Sequence, residues 1–82
     1  MPRDQIRLEI KRIVADIAGL ESHEIADDAA FVDDLGLDSL TLLEIAVDVD
    51  YAFKLDIGEE RLAQLTTIPE AVTLVSQCLA PA

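Results

Sequence analysis

Ser39 is the residue whose surroundings point most clearly to chemistry. It lies in the stretch Asp33 to Leu40, which reads DDLGLDSL, and an apolar run from Thr41 to Phe53 follows. A serine hydroxyl between an acidic loop and a helix can act as a nucleophile, cap the helix, or carry a covalently attached group. These roles need different surroundings, so the other residues of the chain decide between them.

A catalytic role for this serine is not supported by the rest of the sequence. Catalysis by serine needs a base and an orienting acid, and usually a pair of donors for the oxyanion. The one histidine, His23, lies far along the chain, and Ser39 lacks the flanking glycines of a nucleophile elbow. We therefore predict no catalytic residue and interpret His23 as a surface side chain.

Several acidic residues follow the serine, and some have the spacing of calcium ligands. Asp48, Asp50 and Glu59 match positions 1, 3 and 12 of an EF-hand loop. Ala52, however, takes a ligand position, and Phe53 stands where the loop requires glycine for its sharp turn. The segment also coincides with a strong helical period, so we predict no metal site.

Apolar spacing predicts a helix near the start of the chain, ending at Gly19 in a left-handed conformation. Its isoleucines recur at intervals of four, three and four residues: Ile6, Ile10, Ile13 and Ile17. Its basic side chains are predicted to face solvent: Arg3, Arg7, Lys11 and Arg12. Residues 20–38 show no sustained period and are interpreted as a long loop held by five apolar anchors, Leu20, Ile25, Phe31, Val32 and Leu35.

The second helix is predicted from about Leu40 to Phe53, with Asp38 as a candidate cap. One stripe is assigned to the core: Leu42, Ile45, Ala46, Val49, Ala52 and Phe53. A second apolar strip falls on another side and is edged by acids, as on a helix that docks a partner. The alternative is burial on both sides, which we expect in part for Leu43, whereas Leu40 and Val47 are interpreted as docking residues.

The remaining sequence predicts a short helix within Glu59 to Leu65 and a final helix that begins with a capping box from Thr67 to Glu70. The final helix has its apolar stripe at Ile68, Val72, Val75 and Leu79, and Cys78 beside it is interpreted as a small buried residue. The predicted fold is an all-α four-helix bundle with three main helices, one short helix and a long loop between helices one and two. We expect a single domain over residues 1–82.

The net charge of −11 is unevenly distributed. Residues 21–60 hold thirteen acidic side chains and one basic side chain, whereas the flanking segments are nearly neutral. This charge repels nucleic acid and anionic membranes and favours basic protein surfaces. The chain has no apolar run of about 20 residues and no signal-peptide pattern, and its single cysteine suits a reducing compartment. We expect a cytoplasmic monomer.

The surroundings of Ser39 fit a phosphate-linked group best, because a helix N-terminus favours an anion. The segment Asp34 to Leu40 resembles the attachment motif [DE]-x-G-x-D-S-L of the acyl carrier proteins, which have the peptidyl carrier proteins as relatives. The similarity extends through Glu44, the Phe53 position, the Ile57 region and residues 65–68, and so covers nearly the whole chain.

The resemblance implies a non-catalytic carrier with 4′-phosphopantetheine on Ser39, beside Asp38. A phosphopantetheinyl transferase would install the arm from coenzyme A with its own magnesium, and the thiol of the arm, not Cys78, would hold acyl groups as thioesters. Further implied partners are a ketosynthase, an acyltransferase or an acyl-activating ligase. The positions that match the family's recognition helix are Leu40, Leu43, Glu44, Val47 and Asp48.

Three departures from the family pattern bear on the pathway. Thr41 and Tyr51-Ala52 replace acidic positions of many fatty-acid carriers, and Leu37 stands where many peptidyl carriers have glycine. These favour polyketide or other specialised biosynthesis, with fatty-acid synthesis or peptidyl and aminoacyl transfer as alternatives. The hypothesis from another class is an unmodified acidic helical adaptor in which Ser39 is only a cap.

Overall fold

The computed structural model describes residues 2–56, 58, 61–62 and 64–79, and these ranges contain three long α-helices joined by loops. Helix α1 spans Arg3–Ala18, α2 spans Ser39–Phe53 and α3 spans Ile68–Leu79, with a 3-10 helix at Ser22–Glu24. Within the described ranges no strand forms, and a single isolated bridge pairs Ala30 with Thr67. The all-α prediction is confirmed. Of the short helix predicted within 59–65, Arg61 and Leu62 are helical, whereas residues 59, 60 and 63 lie outside the described residues.

Helix α1 packs against both α2 and α3, so its buried face is wider than the predicted stripe. Ile6, Ile10 and Ile13 are buried as predicted, and Ile17 is half-buried. Val14 and Ala15 are buried as well, because the second packing partner covers the neighbouring side of the helix. Gly19 ends α1 with a φ of 73°, which confirms the predicted stop.

The basic residues of α1 are not all exposed to solvent. The side chain of Lys11 is only 14% exposed, and its Nζ contacts Asp27 Oδ1 at 2.8 Å. Its prediction as a solvent-facing residue was wrong, because the long loop folds back over α1 and provides this carboxylate. The hydrogen bond from Lys11 and its charge hold the pKa of Asp27 below its ordinary value. This ion pair therefore ties the loop to α1.

The loop between α1 and α2 is packed, although it has no helical period. Ile25 and Phe31 are buried, and Leu20 and Leu35 are half-buried, as predicted. Val32 is 55% exposed, so its prediction as an anchor was wrong. In the hydrogen-bonded turn that starts at Phe31, the next side chain points away from the core.

The core face of α2 largely follows its predicted stripe. Its buried residues are Ile45, Ala46, Val49 and Phe53, and Leu42 is half-buried. Ala52 is exposed, contrary to prediction, because it lies at the edge of the stripe where the helix surface turns toward solvent. Lys54 follows the helix in a left-handed conformation, with a φ of 53°.

Helix α3 buries Ile68, Val72 and Val75, with Ala71 and Leu74 beside them, which confirms its predicted stripe. One of the two hydrogen bonds of the predicted capping box is present. Thr67 Oγ1 accepts the N–H of Glu70 at 3.3 Å, but the Glu70 carboxylate accepts the N–H of Thr66. Cys78 is exposed, so its predicted burial was wrong. Cys78 lies beside the apolar stripe of α3 rather than in it, and the neighbouring Leu79 still packs against the core.

Candidate functional site

Ser39 is the first residue of α2, and Asp38 is its N-cap. The Asp38 carboxylate accepts the backbone N–H of Thr41 at 2.8 Å through Oδ1. This confirms the interpretation of Asp38 as the cap. The side chain of Ser39 is exposed and is not the capping group. The cap and the candidate attachment residue are therefore neighbouring but separate side chains.

The cap also places a stable negative charge next to the serine. The pKa of Asp38 lies below its ordinary value because the carboxylate accepts hydrogen bonds from the N–H and the hydroxyl of Thr41. The backbone N–H groups of Asp38 and Leu40 act in the same direction. Because all of these contacts favour the charged form, Asp38 stays ionised at neutral pH.

The loop turns sharply before the serine and directs it outward. Gly36 has a φ of 67°, a conformation in which any L side chain would be strained, and its N–H donates to the Val32 carbonyl at 3.0 Å. Leu37 is buried, and its N–H donates to the Phe31 carbonyl at 3.1 Å. With Leu37 held in the core, Asp38 and Ser39 emerge at the surface.

The geometry around Ser39 fits a phosphate-linked arm. A phosphodiester on its hydroxyl would lie at the N-terminus of a 15-residue helix, where free backbone N–H groups and the helix dipole stabilise negative charge. The exposed hydroxyl is accessible to a modifying enzyme and to coenzyme A. Since Asp38 supplies the cap, modification at Ser39 need not disturb the first turn.

The outward face of α2 carries the second candidate surface. Leu40 is 65% exposed, Val47 47% and Leu43 39%, so the apolar strip inferred from spacing does reach solvent. Leu43 is the most covered of the three, as expected. Glu44 and Asp48 are exposed beside the strip. Exposure of these five positions agrees with docking, and their role as partner contacts stays a prediction.

Two further apolar residues belong to this surface and were not predicted as docking residues. Tyr51 is 86% exposed, one helical turn beyond Val47. Ile17 of α1 joins Leu43 and Val47 around an open groove of about 300 Å³. Ile17 ends the isoleucine stripe of α1, and in the sequence it cannot be told apart from the core members of that stripe.

A small cavity lies in the core between the helices. Its volume is about 20 Å³, which is room for roughly one water molecule. The walls are apolar and include Ile10, Phe31, Leu42, Ala46 and Leu62. An acyl chain of even a few carbons would enter only if the helices moved apart.

Comparison with known proteins shows the family to which this chain belongs. Residues 9–75 match the family described as "Phosphopantetheine attachment site". An acyl carrier protein of Rubrobacter xylanophilus is 37% identical over 75 residues, which cover 92% of this chain and 93% of that protein. The chain belongs to the acyl carrier protein family. As a member, it is a non-catalytic carrier whose cofactor is 4′-phosphopantetheine, and it interacts with a phosphopantetheinyl transferase and with biosynthetic enzymes.

Other acyl carrier proteins are similar over nearly the same length. One from Coprothermobacter proteolyticus is 34% identical over 79 residues, covering 96% of each chain. The meromycolate extension acyl carrier protein of Mycobacterium leprae is 36% identical over 75 residues, covering 92% of this chain and 65% of that protein. In this carrier protein, none of the described helices is long and apolar enough to cross a bilayer.

Proposed function

We propose that this carrier holds acyl intermediates as thioesters on a 4′-phosphopantetheine arm attached to Ser39 and delivers them to partner enzymes. The observation that carries the proposal is that two adjacent residues at the start of α2 have different roles. Asp38 caps the helix through Thr41, while the adjacent serine hydroxyl is exposed at the positive end of the helix dipole. In the adaptor hypothesis Ser39 is only the cap of this helix. The capping contact is instead made by Asp38.

The attached arm supplies a terminal thiol on which acyl groups are held. The residues of this chain do the remaining work. Ser39 Oγ is the atom that forms the phosphoester bond, and Gly36 provides the turn that presents it. The first-turn backbone N–H groups and the dipole of α2 stabilise the phosphate charge.

Delivery requires partner enzymes to recognise the carrier, and we assign this role to the outward face of α2. Leu40, Leu43 and Val47 offer an exposed apolar strip. Glu44 and Asp48 beside it favour a partner that presents an apolar side chain flanked by lysine or arginine. The partners proposed for this surface are the transferase that loads Ser39 and a ketosynthase, an acyltransferase or an acyl-activating ligase.

For the pathway, we propose polyketide or other specialised biosynthesis in the cytoplasm, by a monomer whose residues 1–82 form one carrier domain. The exposed aromatic ring of Tyr51 on the docking face supports a partner surface unlike that of many fatty-acid carriers, which have an acidic run at this position. One relative is itself named for a single pathway, meromycolate extension. Fatty-acid synthesis is the second candidate, and peptidyl or aminoacyl transfer is the third.

The proposal can be tested by counting thiols in a Cys78→Ser background, which removes the chain's one cysteine. Incubation with coenzyme A, magnesium and a broad-specificity transferase should then add one maleimide-reactive thiol per chain. Ser39→Ala in the same background should add none, whereas the control Ser76→Ala should behave as the parent. A thiol that still appears on the Ser39→Ala protein would place the arm elsewhere.

A further inference from the structure

The side chain of Asp34 closes the loop before Ser39 onto itself. Its Oδ2 accepts the backbone N–H of Ala30 at 2.7 Å. The N–H groups of Asp34 and Leu35 both donate to the Ala30 carbonyl, at 3.1 and 3.2 Å. Both the N–H and the carbonyl of Ala30 are thus held by the segment Asp34-Leu35. The carboxylate of Asp34 binds the N–H, and two backbone amides bind the carbonyl.

The segment held in this way is anchored to the start of α3. The N–H of Phe31 donates to the Thr66 carbonyl at 2.9 Å, and the N–H of Ile68 donates to the Ala29 carbonyl at 2.9 Å. Ala30 therefore sits in the middle of the bridge between the loop and α3. Because Ile68 is fully buried, this end of the loop has a rigid support.

The other end of the same turn leads directly to the serine. The N–H of Gly36 donates to the Val32 carbonyl, and the N–H of Leu37 donates to the Phe31 carbonyl. Asp38 and Ser39 follow as the cap and first residue of α2. Hydrogen bonds therefore link the start of α3 to Phe31 and Phe31 to Leu37, from which the chain continues directly into α2. The Asp34 carboxylate holds Ala30, the residue next to Phe31.

We propose that Asp34 is a positioning residue for the modification of Ser39. Its carboxylate acts as a hydrogen-bond acceptor that holds the turn at residues 30–37, and so sets where the serine stands relative to α2. This inference rests on the proposed attachment at Ser39. The competing role is a negative charge that attracts a basic transferase, which is the role we leave to the neighbouring Asp33. Asp33 is exposed, and within the described part of the chain its side chain makes no hydrogen bond.

The two roles differ in what an amide can replace. The side-chain oxygen of asparagine can accept the N–H of Ala30 but brings no charge. Asp34→Asn therefore keeps the hydrogen bond from Ala30 to the side chain of residue 34, which we call the clasp, and removes the charge. Asp34→Ala removes both. Asp33→Asn and Asp33→Ala are matched controls, since they delete the same charge one residue away without touching the clasp.

The test is the loading of these four variants and the wild type by a broad-specificity transferase with coenzyme A, with kcat and KM measured separately. We expect Asp34→Ala to lower kcat about tenfold, because a displaced nucleophile is costly for group transfer. Asp34→Asn should stay within about twofold of Asp33→Asn in both constants. Amide hydrogen exchange at Ala30 should be faster in Asp34→Ala and should return to the wild-type rate in Asp34→Asn.

Three results would overturn the inference. Asp34→Asn could lose as much kcat as Asp34→Ala while Asp33→Asn does not, which would make the charge the working feature. Asp34→Ala could be loaded like the wild type. If Asp34→Ala does not fold, the other two variants still test the inference. A kcat for Asp34→Asn well below that of Asp33→Asn would overturn it, and equal values would support it. A wild type that is not loaded would remove the proposed function as well, which distinguishes that failure from the failure of the clasp alone.

Discussion

The carboxylate of Asp38 accepts the backbone N–H of Thr41 at 2.8 Å, and this contact caps the helix that begins at Ser39. The capping role and the proposed attachment role thus belong to neighbouring residues. The serine hydroxyl can be esterified without removing a partner from the first turn of α2. We infer that the recognition face of α2 has the same helical start before and after modification.

The first prediction concerns acid. The pKa of Asp38 is lower in the folded protein than its ordinary value of 3.8, because it accepts hydrogen bonds from Thr41. Its contribution to the free energy of unfolding is therefore fully present above the unfolded pKa and is lost as the pH falls through the lower folded pKa. Asp38→Asn does not titrate, so the stability advantage of the wild type over this variant should shrink between about pH 5 and 2. Urea unfolding of both proteins at several pH values measures this difference in unfolding free energy. A difference that does not change with pH would contradict the lowered pKa of Asp38.

The second prediction uses two adjacent loop residues. Phe31 is buried in the core and Val32 is 55% exposed. Phe31→Ala should cost about 3–5 kcal/mol of unfolding free energy, because it opens a cavity in a small core. Val32→Ala should change it by no more than about 0.5 kcal/mol. Chemical denaturation of both variants checks this, and equal losses would mean that the loop is packed differently.

The sequence was sufficient where a regular period met one packing partner. The spacing of Ile6, Ile10 and Ile13 identified α1, and the DLGLDSL motif predicted the tight turn at Gly36 that precedes α2. Val14 and Ala15 were missed because burial on a second side depends on where α3 packs, and the period of one helix contains no information about its neighbours.

Irregular segments and helix ends were less predictable for a related reason. The sequence predicts Val32 as an anchor and Cys78 as a buried residue, since both are small and apolar or nearly so. Their exposure follows from the direction of a turn and from the position of Cys78 beside the apolar stripe of α3. The carboxylate contact of Asp34 with Ala30 likewise depends on backbone hydrogen bonds that no spacing reveals.

The third prediction concerns the acidic middle of the chain. Residues 21–60 carry thirteen acidic side chains, and of the ion pairs in the described ranges only that between Lys11 and Asp27 involves them. At about 0.1 M salt the Debye length falls to roughly 10 Å, which screens this repulsion. The melting temperature should therefore rise with added NaCl or magnesium. The less charged variant Asp33→Asn/Asp48→Asn should rise less, and a melting temperature that does not respond to salt would count against the account.

The fourth prediction tests the docking face with two substitutions that each add one negative charge to an exposed helix position. Val47 lies on the proposed surface, whereas Leu8 is exposed on the side of α1 opposite Ile17. Val47→Glu should raise the KM for loading by a transferase about tenfold, equivalent to about 1.4 kcal/mol of binding, by putting an acid into the apolar strip. Leu8→Glu should leave the KM near the wild-type value. If both variants bind equally well, partners do not use the strip.

The most direct test of the central claim is the intact mass of wild type and Ser39→Ala before and after incubation with coenzyme A and a broad-specificity phosphopantetheinyl transferase. Both proteins should be equally folded, because Asp38 keeps its contact with Thr41. The account predicts a gain of one phosphopantetheinyl unit on the wild type and none on the variant; a wild type that already carries this mass from expression gives the same answer. No gain on the wild type, under conditions that load a known carrier, would contradict the account and favour the unmodified adaptor.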